Sequence, residues 1–174
     1  MGSHGMGKRK GAAFERRICV ALSRFIDPDG NDTIFWRSAM SGGRATIQNR
    51  KGIANKTQLG DITCVHKAGL WITDNFFIEC KFYGDLDLES SILIGRGKLA
   101  KFWRKAVKEA KNCKRHPLLI AKQNRTPTLV LTTQEGLKCF NTFTHTDDIV
   151  PRVCFWRSVT SQPVQIMFFE DMFK

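Results

Sequence analysis

The run Phe77-Ile78-Glu79-Cys80-Lys81 sets a carboxylate and an ammonium two residues apart inside an apolar stretch. In an extended strand the side chains alternate, so Glu79 and Lys81 project from one face and Ile78 and Cys80 from the other. A surface ion pair is the plain explanation of such a triplet. Upstream, Gly60-Asp61-Ile62-Thr63 opens another strand-like stretch with an acid. If these two strands pair as a hairpin, Asp61 and Glu79 converge near one end. Two carboxylates together with the backbone carbonyl of Cys80 make a hard oxygen set suited to Mg²⁺, with Mn²⁺ able to substitute. Lys81 alongside could orient or deprotonate a water while the metal stabilises a phosphorane-like transition state. The chemistry within reach of this pattern is phosphodiester cleavage.

Glu15 is a third acid in an unusual place. Phe14, Ile18, Ala21, Leu22 and Phe25 recur at helical spacing and predict a helix over 11–26, stopped by Asp27-Pro28-Asp29-Gly30. On that helical wheel Glu15 lies in the apolar sector, between Leu22 and Ile26, while Arg16, Arg17 and Arg24 lie outside it. An unpaired buried carboxylate is costly, so Glu15 needs either a cationic or backbone partner or a metal to face. Both remain open at this level.

The elements that must position these acids emerge from the same patterning. Strands are predicted over 33–38, 61–66 and 76–82, the last two separated by turn signals at Gly69 and Asp74-Asn75. A second helix fits 96–112, with Leu99, Phe102, Trp103, Ala106, Val107 and Ala110 on one half. Lys98, Lys101, Arg104, Lys105, Lys108 and Lys111 fill the other half, with Glu109 the local acid. A solvated face usually mixes both signs because like charges repel, so this face predicts phosphate contact through Lys101, Arg104, Lys105 and Lys108. Apolar strands come next at 117–121 and 127–132, and residues 134–174 show short strand-like runs of no evident order.

Composition narrows the function classes. The 174 residues carry 28 Lys and Arg against 16 Asp and Glu, a net charge of +12, which points to nucleic acid as partner. A hydrophobic content of 42% excludes a wholly disordered basic tail, and no apolar run is long enough to span a membrane. The six cysteines stand apart with no C-x-x-C pair, so neither structural zinc nor a disulfide framework is expected. Reduced thiols and the lack of a secretion signal lead to the expectation of a cytoplasmic protein, and a phage or viral origin suits its size. Residues 1–7 read as a tag and disordered leader, with a single domain over 8–174.

The segment Lys8-Arg9-Lys10-Gly11-Ala12-Ala13-Phe14-Glu15-Arg16 resembles the N-terminal signature of archaeal-type Holliday junction resolvases. Arg37-Ser38-Ala39-Met40-Ser41-Gly42-Gly43 is similar to that family's R-x-x-x-S-G stretch. Gly60-Asp61, Ile78-Glu79-Cys80-Lys81 and the helix leading into Pro117-Leu118-Leu119-Ile120-Ala121-Lys122 come in the same order. The wider group is the PD-(D/E)xK nuclease superfamily. The resemblance implies an α/β, restriction-endonuclease-like αβββαβ core with a central mixed sheet flanked by helices over 8–132; residues 133–174, with no counterpart in the family, are expected to form a β-rich C-terminal extension. It implies metal-facing roles for Glu15, Asp61 and Glu79, a catalytic lysine at Lys81, and Ser41 near the scissile phosphate. Lys10 or Arg16 would lie against the DNA backbone. Gly60 stands where the family has a proline, and the connection from Ser41 to Asp61 is longer and more basic than the family's.

The leading expectation is therefore a Mg²⁺-dependent endonuclease resolving four-way DNA junctions as a homodimer, because paired symmetric nicks need two matched active sites. A restriction-like or repair nicking endonuclease keeps the chemistry and changes the substrate. A non-catalytic module that stacks aromatics on single strands is a third reading, disfavoured because the Phe and Trp residues sit at core spacings. Phosphate contacts are expected from Lys8, Arg9 and Lys10, from a basic stretch over 44–56 that includes Arg44, Arg50 and Lys51, and from the 96–112 helix.

Overall fold

The structure, a computed structural model, describes residues 3–38, 59–145, 152–154 and 163–173. These group into two compact units, Met1–Asp74 and Asn75–Lys174.

In the first unit, α1 spans Ser3–Ile26 and so begins well ahead of the predicted start. Residues read as a leader are helical here. Phe14, Ile18 and Leu22, spaced four apart, are buried along one stripe, and Arg16, Arg17 and Arg24 are exposed. The helix stops at Asp27, whose carbonyl accepts from Gly30 N at 3.4 Å and whose carboxylate accepts from Asn31 N at 3.1 Å. Buried Ser23 ties the helix to the chain at Phe35: its hydroxyl donates to the Cys19 carbonyl at 2.9 Å and accepts from Phe35 N at 3.1 Å.

Strand β1 (Phe35–Arg37) pairs antiparallel with β2 (Ile62–Cys64), Phe35 opposite Cys64 and Arg37 opposite Ile62. The ladder is prolonged at its ends by Val65 N to the Ile34 carbonyl and Ser38 N to the Asp61 carbonyl, each 2.9 Å. A 3-10 turn (Lys67–Gly69) and a short helix α2 (Leu70–Asn75) then occupy the stretch expected to be a turn. Gly69 is needed there, since a Cβ would meet the Phe35 ring at 2.5 Å. The expected hairpin is thus corrected. β2 pairs with β1, and eleven residues of largely helical chain intervene before the next strand, because Asp74-Asn75 end a helix instead of reversing a strand.

The second unit is a five-stranded mixed sheet in the order β3-β4-β5-β7-β6, formed by β3 (Phe76–Tyr83), β4 (His116–Gln123), β5 (Thr128–Thr133), β6 (Arg152–Cys154) and β7 (Val164–Phe168). β3 and β4 are parallel, which requires a crossover, and α3 (Leu88–Ile94) with α4 (Lys98–Asn112) supplies it. The other pairings are antiparallel. Asp87 joins the two helices, its carboxylate accepting from Lys98 N at 3.0 Å at the start of α4.

The core of this unit comes from the alternation of its strands. On one face Leu119 and Ala121 of β4 stand opposite Leu131 and Leu129 of β5, with Val164 and Ile166 of β7 beyond. Against these pack Leu99, Ala100, Trp103 and Ala106 of α4, all but inaccessible to water. Trp103→Ala would cost about 3–5 kcal/mol by opening the largest hole in this layer. On the other face Phe76 meets Phe140 of α5 (Gln134–Thr144) edge-on at 6.4 Å, and Phe140 meets Phe173 beyond α6 (Phe169–Met172).

The fold is α/β with a mixed sheet flanked by helices, in keeping with the restriction-endonuclease-like core. Two details differ from the expected C-terminal stretch. Residues 134–144 form a helix, capped by the Thr133 hydroxyl accepting from Gly136 N at 3.1 Å. And β7 lies between β5 and β6, so this stretch is part of the sheet itself.

Candidate active site

Glu79 stands mid-way along β3, in register with Leu119 of β4, and Lys81 in register with Ala121. They therefore continue, on the outermost strand of this sheet order, the stripe that elsewhere carries Leu119, Ala121, Leu129 and Leu131 beneath α4. The expected alternation holds: Ile78 and Cys80 are buried on the opposite face. A carboxylate in an apolar stripe needs compensation, and Glu79, 8% exposed at its side chain, has it in cations. The Lys81 ammonium lies 2.5 Å from Glu79 Oε1 and donates to the Cys80 carbonyl at 3.0 Å. The Phe102 ring of α4 covers it, centroid 5.9 Å away, and stacks in turn near Tyr83.

A second ammonium reaches the same oxygen. Lys105 Nζ of α4 lies 3.8 Å from Glu79 Oε1 and 3.6 Å from Glu109 Oε1 one helical turn on. The sequence pattern groups Lys105 with the phosphate-contacting face of the helix. Its tie to Glu79 is not legible there, because it depends on how α4 is rotated over β3.

The donor chemistry of β3 fits a hard divalent cation. The Glu79 carboxylate and the Cys80 carbonyl, the two oxygens of β3 expected to face a metal, both meet one positive charge, the Lys81 ammonium. Mg²⁺ is held by one or two carboxylates and keeps several waters, so two protein oxygens on one strand are a sufficient start. Among the described residues no group of three or more acidic, His or Cys side chains forms a metal cluster. Glu79 and Cys80 would hold the ion from this unit.

In the first unit, Asp61 is buried at the mouth of the β1–β2 ladder, its carbonyl bonded to Ser38 N. Glu15 of α1 is paired with Arg37 of β1, carboxylate Oε2 to guanidinium Nε, with the Glu15 side chain 13% exposed. The cationic partner left open by the sequence is thus Arg37. The pair also bears on Cys19, one turn along α1. Its thiol is pushed up to about 12, first by burial and then by the Glu15 carboxylate, with Arg37 pulling the other way. Such a thiol is unreactive. Among the described residues, Cys19, Cys64, Cys80, Cys113 and Cys139 form no disulfide.

Of the residues expected to touch DNA, Arg9 and Arg16 are exposed on α1 and Lys10 is half-buried. Lys101, Arg104, Lys105 and Lys108 are exposed on α4, opposite its buried Leu99, Trp103 and Ala106. The backbone of Lys8 lies in α1. Ser41, Arg44, Arg50 and Lys51 lie outside the described residues, as does the side chain of Lys8.

Residues 6–168 match the family model described as "Phage putative PDDEXK endonuclease". No curated protein and no solved structure matches the chain. No helix among the described residues is long and apolar enough to cross a membrane. The family match takes in α1, the Asp61 ladder, the Glu79-Cys80-Lys81 strand and the C-terminal strand β7 alike. Covering all but the outermost residues, it makes this chain a member of the phage PDDEXK endonuclease family, with DNA as its substrate.

Proposed function

We propose that this nuclease is a divalent-metal-dependent endonuclease acting on branched DNA, with the four-way junction as its substrate and a homodimer as its working form. The observation that carries the cleavage chemistry is the placement of Glu79 and Lys81 on one face of β3, the ammonium against the carboxylate and the Cys80 carbonyl. Family membership supports nuclease chemistry, and the motif resemblance implies Asp61 and Glu79 as acidic ligands and Lys81 as the cationic group. Held at the Glu79 carboxylate and the Cys80 carbonyl, Mg²⁺ or Mn²⁺ would supply Lewis acidity at a phosphoryl oxygen and a more acidic water. Lys81 holds that water or the developing phosphate charge, and the buried wall of β3 beneath Phe102 keeps bulk water from screening it.

The junction preference rests on the ordered likeness of the Lys8–Arg16 segment, Arg37–Gly43, Asp61 and Glu79-Cys80-Lys81 to junction resolvases. The backbone of the DNA would be held by Lys8, Arg9, Lys10, Arg16 and the exposed face of α4, with Arg44, Arg50 and Lys51 as further contributors and Ser41 near the scissile phosphate. Cleavage of a labelled four-way junction beside a linear duplex of the same arm sequence, with Mg²⁺ and with chelator, tests the proposal. Paired nicks near the branch point, dependent on Mg²⁺, are expected. Equal cutting of linear duplex would reassign the protein as a nicking or restriction-like nuclease, and cutting in chelator would remove the metal from its mechanism.

A further inference from the structure

We infer that Lys105 belongs to the cleavage centre: it rests on Glu79 in the free protein and turns to the phosphate being cut when DNA and metal are bound. This rests on the assignment of Glu79 as a metal-facing acid and adds a residue to that site.

The two lysines that meet Glu79 are held very differently. Lys81 is 19% exposed and gripped by two oxygens at 2.5 and 3.0 Å. Lys105 is 58% exposed and shared between Glu79 at 3.8 Å and Glu109 at 3.6 Å, both long for ion pairs. A pair so loose and so wet contributes little to stability. Among the cations of α4, ion pairs are seen for Lys98, which is tied to Asp87, and for Lys105, which is directed at β3. Three charges cannot share one carboxylate without repulsion. When Glu79 neutralises a divalent ion, Lys105 loses its reason to stay and has the freedom to leave. The anion nearest at that moment is the scissile phosphate, and an ammonium on a long stem can reach it without moving the helix.

Two readouts separate this role from that of an ordinary backbone contact. The first is the single-turnover rate on fully bound DNA for Lys105→Met and Lys105→Arg, with Lys138→Met at an exposed position of α5 as the matched loss of one charge. Lys105→Met is expected to slow cleavage by roughly 10–100-fold, with much of the rate restored by Arg and none lost in Lys138→Met. The second is Mn²⁺ binding to the DNA-free protein by titration calorimetry. It should tighten by roughly two- to fivefold in Lys105→Met, because one cation competing for Glu79 is gone. A wild-type rate on bound DNA in Lys105→Met, with only affinity and salt dependence altered, overturns the inference. Glu79→Gln, run alongside, separates the two levels. If it is inactive while Lys105→Met is normal, only Lys105 is misassigned; if it cleaves normally, the metal-facing role of Glu79 falls and the inference with it.

Discussion

Arg37 and Glu15, 22 positions apart, form an ion pair that joins β1 to the buried side of α1. It explains how a carboxylate is tolerated among Phe14, Ile18 and Leu22. Arg37 accounts for the charge of Glu15 without any metal, so substitution distinguishes the two roles. Glu15→Gln removes the charge-assisted half of this part-buried pair, which costs about 1–3 kcal/mol. A fall in melting temperature of several degrees with unchanged specific activity is the expected outcome of the structural role. Loss of cleavage at unchanged melting temperature would instead make Glu15 a metal-facing acid.

Asp61→Asn and Lys81→Met probe the cleavage chemistry. Each keeps shape while removing a charge, and both should bind DNA nearly as well as the parent protein. Asp61→Asn should be inactive with Mg²⁺, and Lys81→Met should turn over roughly 10²–10⁴-fold more slowly. Weakened binding with an unaltered rate on bound DNA would reduce Lys81 to a phosphate contact.

The exposed cations of α4 should act through the phosphate backbone. Removing two of them, as in Lys101→Ala with Lys108→Ala, should lower affinity for all sequences and flatten the salt slope by roughly one or two units. A slope unchanged in a folded double mutant would place the DNA elsewhere, on α1 or the basic stretch over 44–56.

The Cys19 thiol supplies a pH signature. In the unfolded chain it titrates near its ordinary 9.0, and in the folded protein near about 12. The protonated form is what folding favours, so this contribution to stability is full below pH 9 and is lost as pH rises from 9 toward 12. Iodoacetamide labelling at pH 9 should accordingly leave Cys19 unmodified in native protein and modify it rapidly in urea. Ready labelling of Cys19 in the native state would show that α1 opens on its own.

Much of the second unit is legible in the sequence because its signals are local. The α4 stripe of Leu99, Trp103, Ala106 and Ala110 appears where the helical period puts it, and β4 and β5 fall within a few residues of their apolar runs. The alternation of Ile78, Glu79, Cys80 and Lys81 is legible in the same way. Short helices are harder. α3 offers only Leu88 and Ile92 packed against the core and a left-handed Gly95 at its end, and α5 only Leu137 and Phe140 behind the Thr133 cap. Those caps are the signals available. Pairing is the least legible property, since nothing in Ile62–Cys64 says that its neighbour is Phe35–Arg37 and not the next strand along the chain. The same applies to the partner of Glu15 and to the aim of Lys105, both set by packing between distant elements.

The position of β7 has a consequence for biosynthesis. β5 is complete by Thr133, yet its second neighbour begins only at Val164, some thirty residues later in the chain. Until that strand emerges from the ribosome, β5 offers a bare row of amides and carbonyls flanked by Leu129, Val130 and Leu131. This is the kind of edge on which nascent chains associate with one another. Closing it also demands a long-range pairing, which is slow. Yield of active enzyme should therefore depend on how fast the ribosome traverses those thirty codons, and on how well chaperones shield the open edge meanwhile.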